Sequence, residues 1–209
     1  MDWETLKQSH WIYVASFGSR APEADFRRLG DFAATHGIQI AFNPGMEQIK
    51  RGASGLGRMI SDASVLIMNL TEAALLTESS PKDRVTTILE RLKDLGPKLA
   101  VITNGRNGVF AALDTGERVF VAPPPVPVNC TLGAGDAFAS TLTASIIRDG
   151  WDLPKALERA AVNAALVVQH PGAQIGLEPI EKLDQLALSM KIQLQELSSR
   201  TIPTTSNLV

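Results

Sequence analysis

The chain has 209 residues, of which 44% are hydrophobic and 20% charged, and its formal net charge at pH 7 is −2. This composition is typical of a globular protein with one substantial core, and the small net charge argues against partners such as nucleic acid or an anionic membrane surface. One cysteine, Cys130, excludes an internal disulfide, and the N-terminus lacks the pattern of a signal peptide. No apolar run is long enough to span a bilayer, so we expect a cytoplasmic protein.

Short apolar runs alternate with helical patterns over most of the sequence. Helical spacing of apolar residues is found over 22–36, near 59–62, and over 71–76 and 82–95. Strand-like runs separate these helices, at 11–15, 38–42, 65–68 and 99–103. This alternation predicts an α/β fold of three layers, in which a mostly parallel sheet is covered by helices on both faces.

The second half of the chain has a different pattern. Residues 108–113 and 118–121 read as a hairpin joined through Asp114-Thr115-Gly116, and the chain after Asp136 is predicted to be wholly helical. The expected helices cover 137–148, 153–169 and 180–197, and the Ser/Thr-rich tail that follows is expected to fray. We therefore expect one domain over 1–197 and a flexible tail over 198–209.

The segment from Cys130 to Phe138 contains Gly133-Ala134-Gly135-Asp136, a glycine-rich turn that runs directly into a helix. The first N–H groups of a helix have no intrahelical acceptor and the helix dipole is positive there, so an anion such as phosphate is a natural ligand. Asp136 beside a bound phosphoryl group can accept the proton of an attacking hydroxyl, as a small-molecule kinase requires. The alternative is an ordinary helix N-terminus with an acidic residue and no ligand.

Asn69 and Glu72 follow the strand at 65–68 and lie three residues apart. Glu72 is suited to a hydrated Mg²⁺, and Asn69 to a phosphate oxygen or a metal-bound water. On this pair alone, helix capping is the favoured alternative, because it needs no ligand.

Thr103, Gly105 and Gly108 end the strand at 99–103 and can contact nucleotide phosphates through the Thr103 hydroxyl and backbone N–H groups. An Asn-Gly turn explains the same residues, and both interpretations can hold together. In an open parallel sheet, loops at the carboxyl ends of strands form the ligand site, which is where these residues are predicted to lie.

Three further residues are candidates for nucleotide contacts. The Thr131 hydroxyl can lie near the phosphates, and Asn163 can line an adenine pocket, although a satisfied buried amide is nearly as good an explanation. Gly172, followed by Ala173, either allows the chain to pass close to a flat base or simply turns the chain.

In this order, the motifs resemble the ribokinase-like (PfkB) family of sugar and nucleoside kinases. Thr131 to Phe138 match the family's second signature, and the Ala-rich helix with Asn163, followed by Gly172-Ala173, is similar to its adenine-side wall. The family motifs Asn-x-x-Glu and Thr-x-Gly-x-x-Gly are matched by Asn69 and Glu72 and by Thr103, Gly105 and Gly108. The match covers residues 10–180.

The resemblance implies a ribokinase-like fold and transfer of the γ-phosphoryl of MgATP to a hydroxyl of a sugar or nucleoside. Asp136 would be the general base, and the N–H groups of Gly133, Ala134 and Gly135 would form the anion hole. ATP and Mg²⁺ are the implied cofactors, with Glu72 at the metal.

Two departures from the family pattern are visible. Cys130 stands where the family signature has Asp, which puts activation by a monovalent cation in doubt. The family's N-terminal sugar-binding segment and β-sheet lid have no counterpart here. A sheet edge left open in this way favours a homodimer or a missing N-terminal partner segment.

The sequence leaves open one alternative to a kinase and argues against another. A non-catalytic nucleotide-binding module, or an inactive fragment of such a kinase, fits the missing acceptor half, but retention of Asp136 argues against it. A dinucleotide-binding oxidoreductase fails because the glycine turn comes late in the chain, without an early βαβ fingerprint.

Overall fold

The structure, a computed structural model, describes residues 2–16 and 23–197. Seven strands form one mixed sheet in which they are neighbours in chain order. These strands are β1 (Trp11–Val14), β2 (Gln39–Phe42), β3 (Val65–Asn69), β4 (Leu99–Thr103), β5 (Val109–Leu113), β6 (Arg118–Ala122) and β7 (Gln193–Glu196).

Helices separate most of the strands. In chain order they are α1 (Trp3–Lys7), α2 (Glu23–His36), α3 (Met46–Ile49), α4 (Gly52–Leu56), α5 (Arg58–Ser61), α6 (Leu70–Leu76), α7 (Val85–Asp94), α8 (Ala134–Asp149), α9 (Leu153–Val167) and α10 (Ile180–Met190). A 3₁₀ turn (Gly105–Asn107) separates β4 from β5. The predicted α/β fold is thus confirmed, and α1, α3 and α4, each of five residues or fewer, were not predicted from the sequence.

Strand direction changes across the sheet. β1 pairs with β2 in parallel, with Val14 opposite Phe42, and β2 pairs in parallel with β3. β7 pairs with β6 in antiparallel fashion, with Gln195 opposite Phe120. Four of the five residues of β3 are buried, as expected for a strand covered on both faces.

The prediction of a helix over 180–197 is wrong in its last part. Helix α10 ends at Met190, because Lys191 adopts the left-handed conformation with φ 51° and ψ 53°. The chain then forms β7, whose backbone groups bond to β6, and Leu197 N donates to Arg118 O at 2.9 Å. The predicted tail, 198–209, lies outside the described residues, and the single domain over 1–197 stays a prediction.

The chain forms two compact units, Met1–Ile102 with Ala111–Glu117, and Thr103–Phe110 with Arg118–Val209. In the first unit, the rings of Phe26 in α2 and Phe42 in β2 lie 6.3 Å apart in the core. In the second unit, α8 packs on α9, and α9 packs on α10 through Val162 and Leu183, both fully buried. No helix in the described ranges is both long enough and apolar enough to cross a membrane.

Candidate functional site

The glycine turn begins α8 in the second unit. Gly133 is the N-cap of this helix and has a left-handed backbone, with φ 80° and ψ −8°. Ala134 N donates to Thr131 O at 3.3 Å, and Ala137 N donates to Gly133 O at 2.8 Å, so the turn is closed by its own hydrogen bonds. At Gly135 and Asp136 the N–H groups belong to the first helical turn, which has no intrahelical acceptor, and they can bind an anion.

Two segments near the end of α9 hold this turn. The N–H groups of Asn129 and Cys130 both donate to Val168 O, at 2.8 and 3.1 Å. Gly133 is in contact with Ala173, since a Cβ built on Gly133 would lie 2.6 Å from the Ala173 carbonyl oxygen. The structure therefore brings together the two glycine motifs that the sequence analysis assigned to the same nucleotide.

Asp136 lies in the first turn of α8, and its side chain is exposed. Its backbone carbonyl accepts a hydrogen bond from Ser140 Oγ at 2.7 Å, which fixes the backbone and leaves the carboxylate outside that bond. Thr131, just before the turn, is also exposed. An accessible carboxylate next to a set of N–H donors is suited to accept a proton from a hydroxyl near a bound anion.

The predicted turn after β4 is present. Asn104 N donates to Gly108 O at 2.9 Å across the 3₁₀ turn, which confirms the turn interpretation of this segment. Gly108 has φ +91°, and a Cβ there would lie 2.4 Å from the Phe120 ring and 2.7 Å from Val121 O. Only glycine fits this position, while phosphate contacts by Thr103, Gly105 and Gly108 remain a prediction.

In the first unit, Asn69 and Glu72 form a capping box at the start of α6. Glu72 N donates to Asn69 Oδ1 at 2.9 Å, and Asn69 N donates to a Glu72 carboxylate oxygen, Oε2, at 3.0 Å. Burial raises the pKa of Glu72, and the hydrogen bonds from Asn69 oppose that shift. The capping interpretation is confirmed, and the role of Glu72 at a metal remains a prediction.

Asn163 lies in the middle of α9 and is 4% exposed. Its Nδ2 donates to Thr141 Oγ1 at 2.9 Å and to Glu178 O at 3.2 Å, and its Oδ1 accepts from Glu178 N at 3.0 Å. The amide is therefore satisfied by the protein, as one of the two interpretations predicted. A contact with adenine remains a prediction.

The sequence profile of the pfkB family carbohydrate kinases matches residues 1–180. The chain belongs to the pfkB family. Among curated proteins similar to this pfkB member, 5-dehydro-2-deoxygluconokinase from Clostridium tetani is 32% identical over 132 residues, which cover 63% of this chain and 38% of that protein.

A relative of the same name from Geobacillus thermodenitrificans is 29% identical over 181 residues, covering 83% of this chain and 52% of its own length. This pfkB chain thus spans between 38% and 52% of the length of these two relatives. Among solved structures, an E. coli protein provisionally named ribokinase II, in complex with ATP and Mg²⁺, has a TM-score of 0.75 at 20% identity. The alignment covers 90% of this chain and 62% of that one, and it shows a shared fold.

The donor set for a metal in this pfkB chain is small. No group of three or more His, Cys, Asp or Glu side chains in 2–16 and 23–197 is placed to hold a metal ion. Mg²⁺ commonly keeps several waters and binds through one or two carboxylates together with substrate phosphates. A half-buried carboxylate with a raised pKa, such as Glu72, fits that mode, because a nearby cation would favour its charged form.

An ion-pair network around the buried Arg159 in the second unit was not predicted from the sequence. Arg159, 2% exposed, donates to both carboxylate oxygens of Asp184, at 2.6 and 2.9 Å, and also to Asp149. Hydrogen bonds from Arg159 lower the pKa of both aspartates. A cavity of about 530 Å³ beside this network is lined by Lys155, Leu188 and Lys191 among others, and by none of the predicted site residues.

Proposed function

We propose that this chain is the nucleotide-binding and catalytic part of a pfkB kinase that transfers the γ-phosphoryl of MgATP to a hydroxyl of a sugar or nucleoside. The observation that carries the proposal is the glycine turn of α8, where exposed Asp136 stands beside N–H groups that can bind an anion. Because the curated relatives described above are named 5-dehydro-2-deoxygluconokinases, an oxidised sugar acid is the acceptor that we favour.

In the proposed reaction, the acceptor hydroxyl oxygen forms a bond to the γ-phosphorus while the bond from that phosphorus to the β–γ bridging oxygen breaks. ADP leaves with the electron pair of the broken bond, and Asp136 takes the hydroxyl proton. Such proton transfer contributes roughly 10²–10⁴ in rate. The N–H groups of Gly133 and Gly135 stabilise the charge of the transferring group, and that of Ala134 joins them when it leaves its 3.3 Å bond to Thr131 O.

The other predicted residues have supporting roles in this proposal. Glu72 would hold Mg²⁺, whose charge offsets that of the phosphates when it is bound. Contacts to the phosphates are assigned to Asn69, Thr103, Gly105, Gly108 and Thr131. Gly172 is assigned to the base end of the nucleotide, and Asn163, whose amide is bonded to Thr141 and Glu178, supports that end from within the protein.

The proposed kinase function also has consequences for the partners of the chain and for its location in the cell. We propose that a second copy of the chain or an N-terminal partner segment completes the acceptor site, since the residues assigned above hold the nucleotide, the metal and the transferring phosphoryl group, and none of them is assigned to binding the acceptor. Cys130 is a free thiol, which agrees with a reducing cytoplasm.

A nucleotide-binding module without catalytic activity is the second candidate. The glycine turn by itself is sufficient for this candidate, because its N–H groups can hold a phosphate without any proton transfer. Retention of Asp136 opposes it, because a pure phosphate binder gains affinity by losing a negative charge beside its ligand.

The test is ADP release from MgATP against a panel of acceptors that includes 5-dehydro-2-deoxygluconate, ribose, fructose and adenosine. We expect turnover that depends on one acceptor and falls at least about 100-fold in Asp136→Asn while ATP affinity is retained. Asp114→Asn is the matched control, because Asp114 is exposed in the β5–β6 turn. ATP binding with no turnover for any acceptor would favour the non-catalytic module instead.

A further inference from the structure

A buried hydrogen-bond network joins α8, α9 and the chain before α10. Asn163 of α9 bonds to both backbone groups of Glu178, in the way that one β-strand bonds to another. Thr141 of α8, 5% exposed, accepts the remaining hydrogen bond from the Asn163 amide at 2.9 Å. Thr141 of α8 thus orients the Asn163 amide from one side. On its other side, the amide bonds to the backbone of Glu178.

Residues 172–178, which we name the clamped loop, connect this network to the glycine turn. Near its start the loop meets the turn through the contact of Ala173 with Gly133. At Gly176 it lies so close to α9 that a Cβ would stand 2.7 Å from Leu166 O. At its end it is held by Asn163, so three contacts fix the loop within the second unit.

The loop depends on these contacts because most of it faces solvent. Residues 172–175 are all exposed, and Leu177 N bonds only within the loop, to Gln174 O at 3.3 Å. A loop with few buried apolar contacts opens locally at low free energy, so each buried hydrogen bond has a large share in its stability. Losing the Asn163 amide would also leave the N–H and C=O of the part-buried Glu178 without their partner, which costs stability.

We propose that Asn163 is a positioning residue, which Thr141 orients and which holds the clamped loop against Gly133, so that the glycine turn keeps its phosphate-binding geometry. This inference rests on the proposed function and assigns Asn163 a role through Glu178 rather than through direct contact with the base. Loosening of the loop removes support from Gly133 and weakens ATP binding, although no residue that touches the nucleotide has changed.

The test uses Thr141→Val in the full chain, with Thr143→Val as a matched control. Both threonines lie in α8 and are buried, but the Thr143 hydroxyl donates to Ala139 O of its own helix, at 2.8 Å, and does not reach the loop. Thr141→Ser keeps a hydroxyl and serves as the rescue variant. Asn163→Ala removes the amide itself. Should Asn163→Ala not fold, Thr141→Val still tests the proposal.

Amide hydrogen exchange over 172–178 and ATP affinity are measured on each variant, together with thermal stability. We expect Thr141→Val to speed exchange in the loop and to weaken ATP binding about fivefold to tenfold, whereas Thr143→Val changes neither and Thr141→Ser restores both. Unchanged loop exchange in Thr141→Val, or a loosened loop with unchanged ATP affinity, overturns the inference.

The experiments distinguish a failure of the proposed function from a failure of the proposal that Asn163 holds the clamped loop. If the unaltered chain binds no ATP, the proposed function and the nucleotide part of this inference both fail. If the unaltered chain binds ATP but exchange in the loop is the same in all variants, only the proposed role of Asn163 fails. Where turnover is measurable, a change in KM for ATP at constant kcat supports positioning of the nucleotide rather than a role in the chemical step.

Discussion

Gly133 and Ala173 lie in direct backbone contact, although they belong to different sequence motifs. A Cβ on Gly133 would be 2.6 Å from the Ala173 carbonyl oxygen and 2.7 Å from its Cα, both backbone atoms that cannot rotate away. Gly133 also has φ +80°, a conformation that other L-residues adopt only at a cost. Two independent constraints therefore require glycine at the point where the proposed anion hole begins.

The first prediction follows from that contact. Gly133→Ala should destabilise the second unit by at least about 2 kcal/mol, from left-handed strain and displacement of the 172–178 loop, and it should abolish ATP binding. Gly135→Ala is the control, since Gly135 lies in the helix and a Cβ there has nothing within 4 Å. Urea unfolding of both variants measures the difference in stability, and ATP titration is made on Gly133→Ala alone because Gly135 belongs to the proposed anion hole. Equal stability of the two variants would contradict the importance of the contact.

Asn69 caps α6, and its removal gives the second prediction. Asn69→Ala takes away the acceptor for Glu72 N, so we expect a loss of about 1 kcal/mol in the free energy of unfolding. Asn69→Asp keeps the acceptor and should restore most of the stability. Equilibrium unfolding in urea is the measurement. If Asn69→Ala were as stable as the unaltered chain, the Asn69 cap would not contribute to the free energy of unfolding.

A substitution of Glu72 can separate its role in capping α6 from its proposed role in metal binding. Gln can replace Glu in a capping box, so Glu72→Gln should fold as well as the unaltered chain while losing activity that depends on Mg²⁺. Burial raises the pKa of Glu72 above its ordinary 4.5, so the charged side chain costs stability at neutral pH and that cost disappears as the pH falls towards 4.5.

The expected signature is therefore a Glu72→Gln variant at least as stable as the unaltered chain at pH 7, with the difference shrinking to nothing below pH 4.5. Urea unfolding over this pH range, without nucleotide, tests the sign. Full activity of Glu72→Gln at saturating Mg²⁺ would refute the assigned metal role, and the stability result would stand independently.

Much of this fold can be predicted from sequence because its signals are local. The apolar run of β3 and the Asn-x-x-Glu cap that follows it are read within one short segment, and the structure confirms both. The glycine turn of α8 was located for the same reason. Its contact with Ala173 was not predicted, because that contact depends on how α9 returns the chain to the turn.

Contacts between residues that are distant in sequence explain why β7 and the Arg159 network were not predicted. β7 was predicted as helix, since Gln193, Leu194, Gln195 and Glu196 carry no strong strand signal and Lys191 stops α10 without a glycine. What makes this segment a strand is its pairing with β6. Arg159 likewise bonds to aspartates 10 and 25 residues away, which meet only after α8, α9 and α10 have packed.

The Arg159 network gives the last prediction. Hydrogen bonds from Arg159 lower the pKa of Asp184 below its ordinary 3.8, so the pair stabilises the fold at neutral pH, and this contribution is lost as the pH falls below 3.8. Asp184→Asn should cost about 1–2 kcal/mol at pH 7, a figure reduced for the partial exposure of Asp184, and the difference should vanish in acid. Glu181→Gln, on the same helix, breaks an exposed pair with Arg148 and should change stability far less. Urea unfolding of both variants between pH 2.5 and 7 is the measurement, and a pH-independent loss in Asp184→Asn would mean that packing, rather than charge, makes Asp184 important.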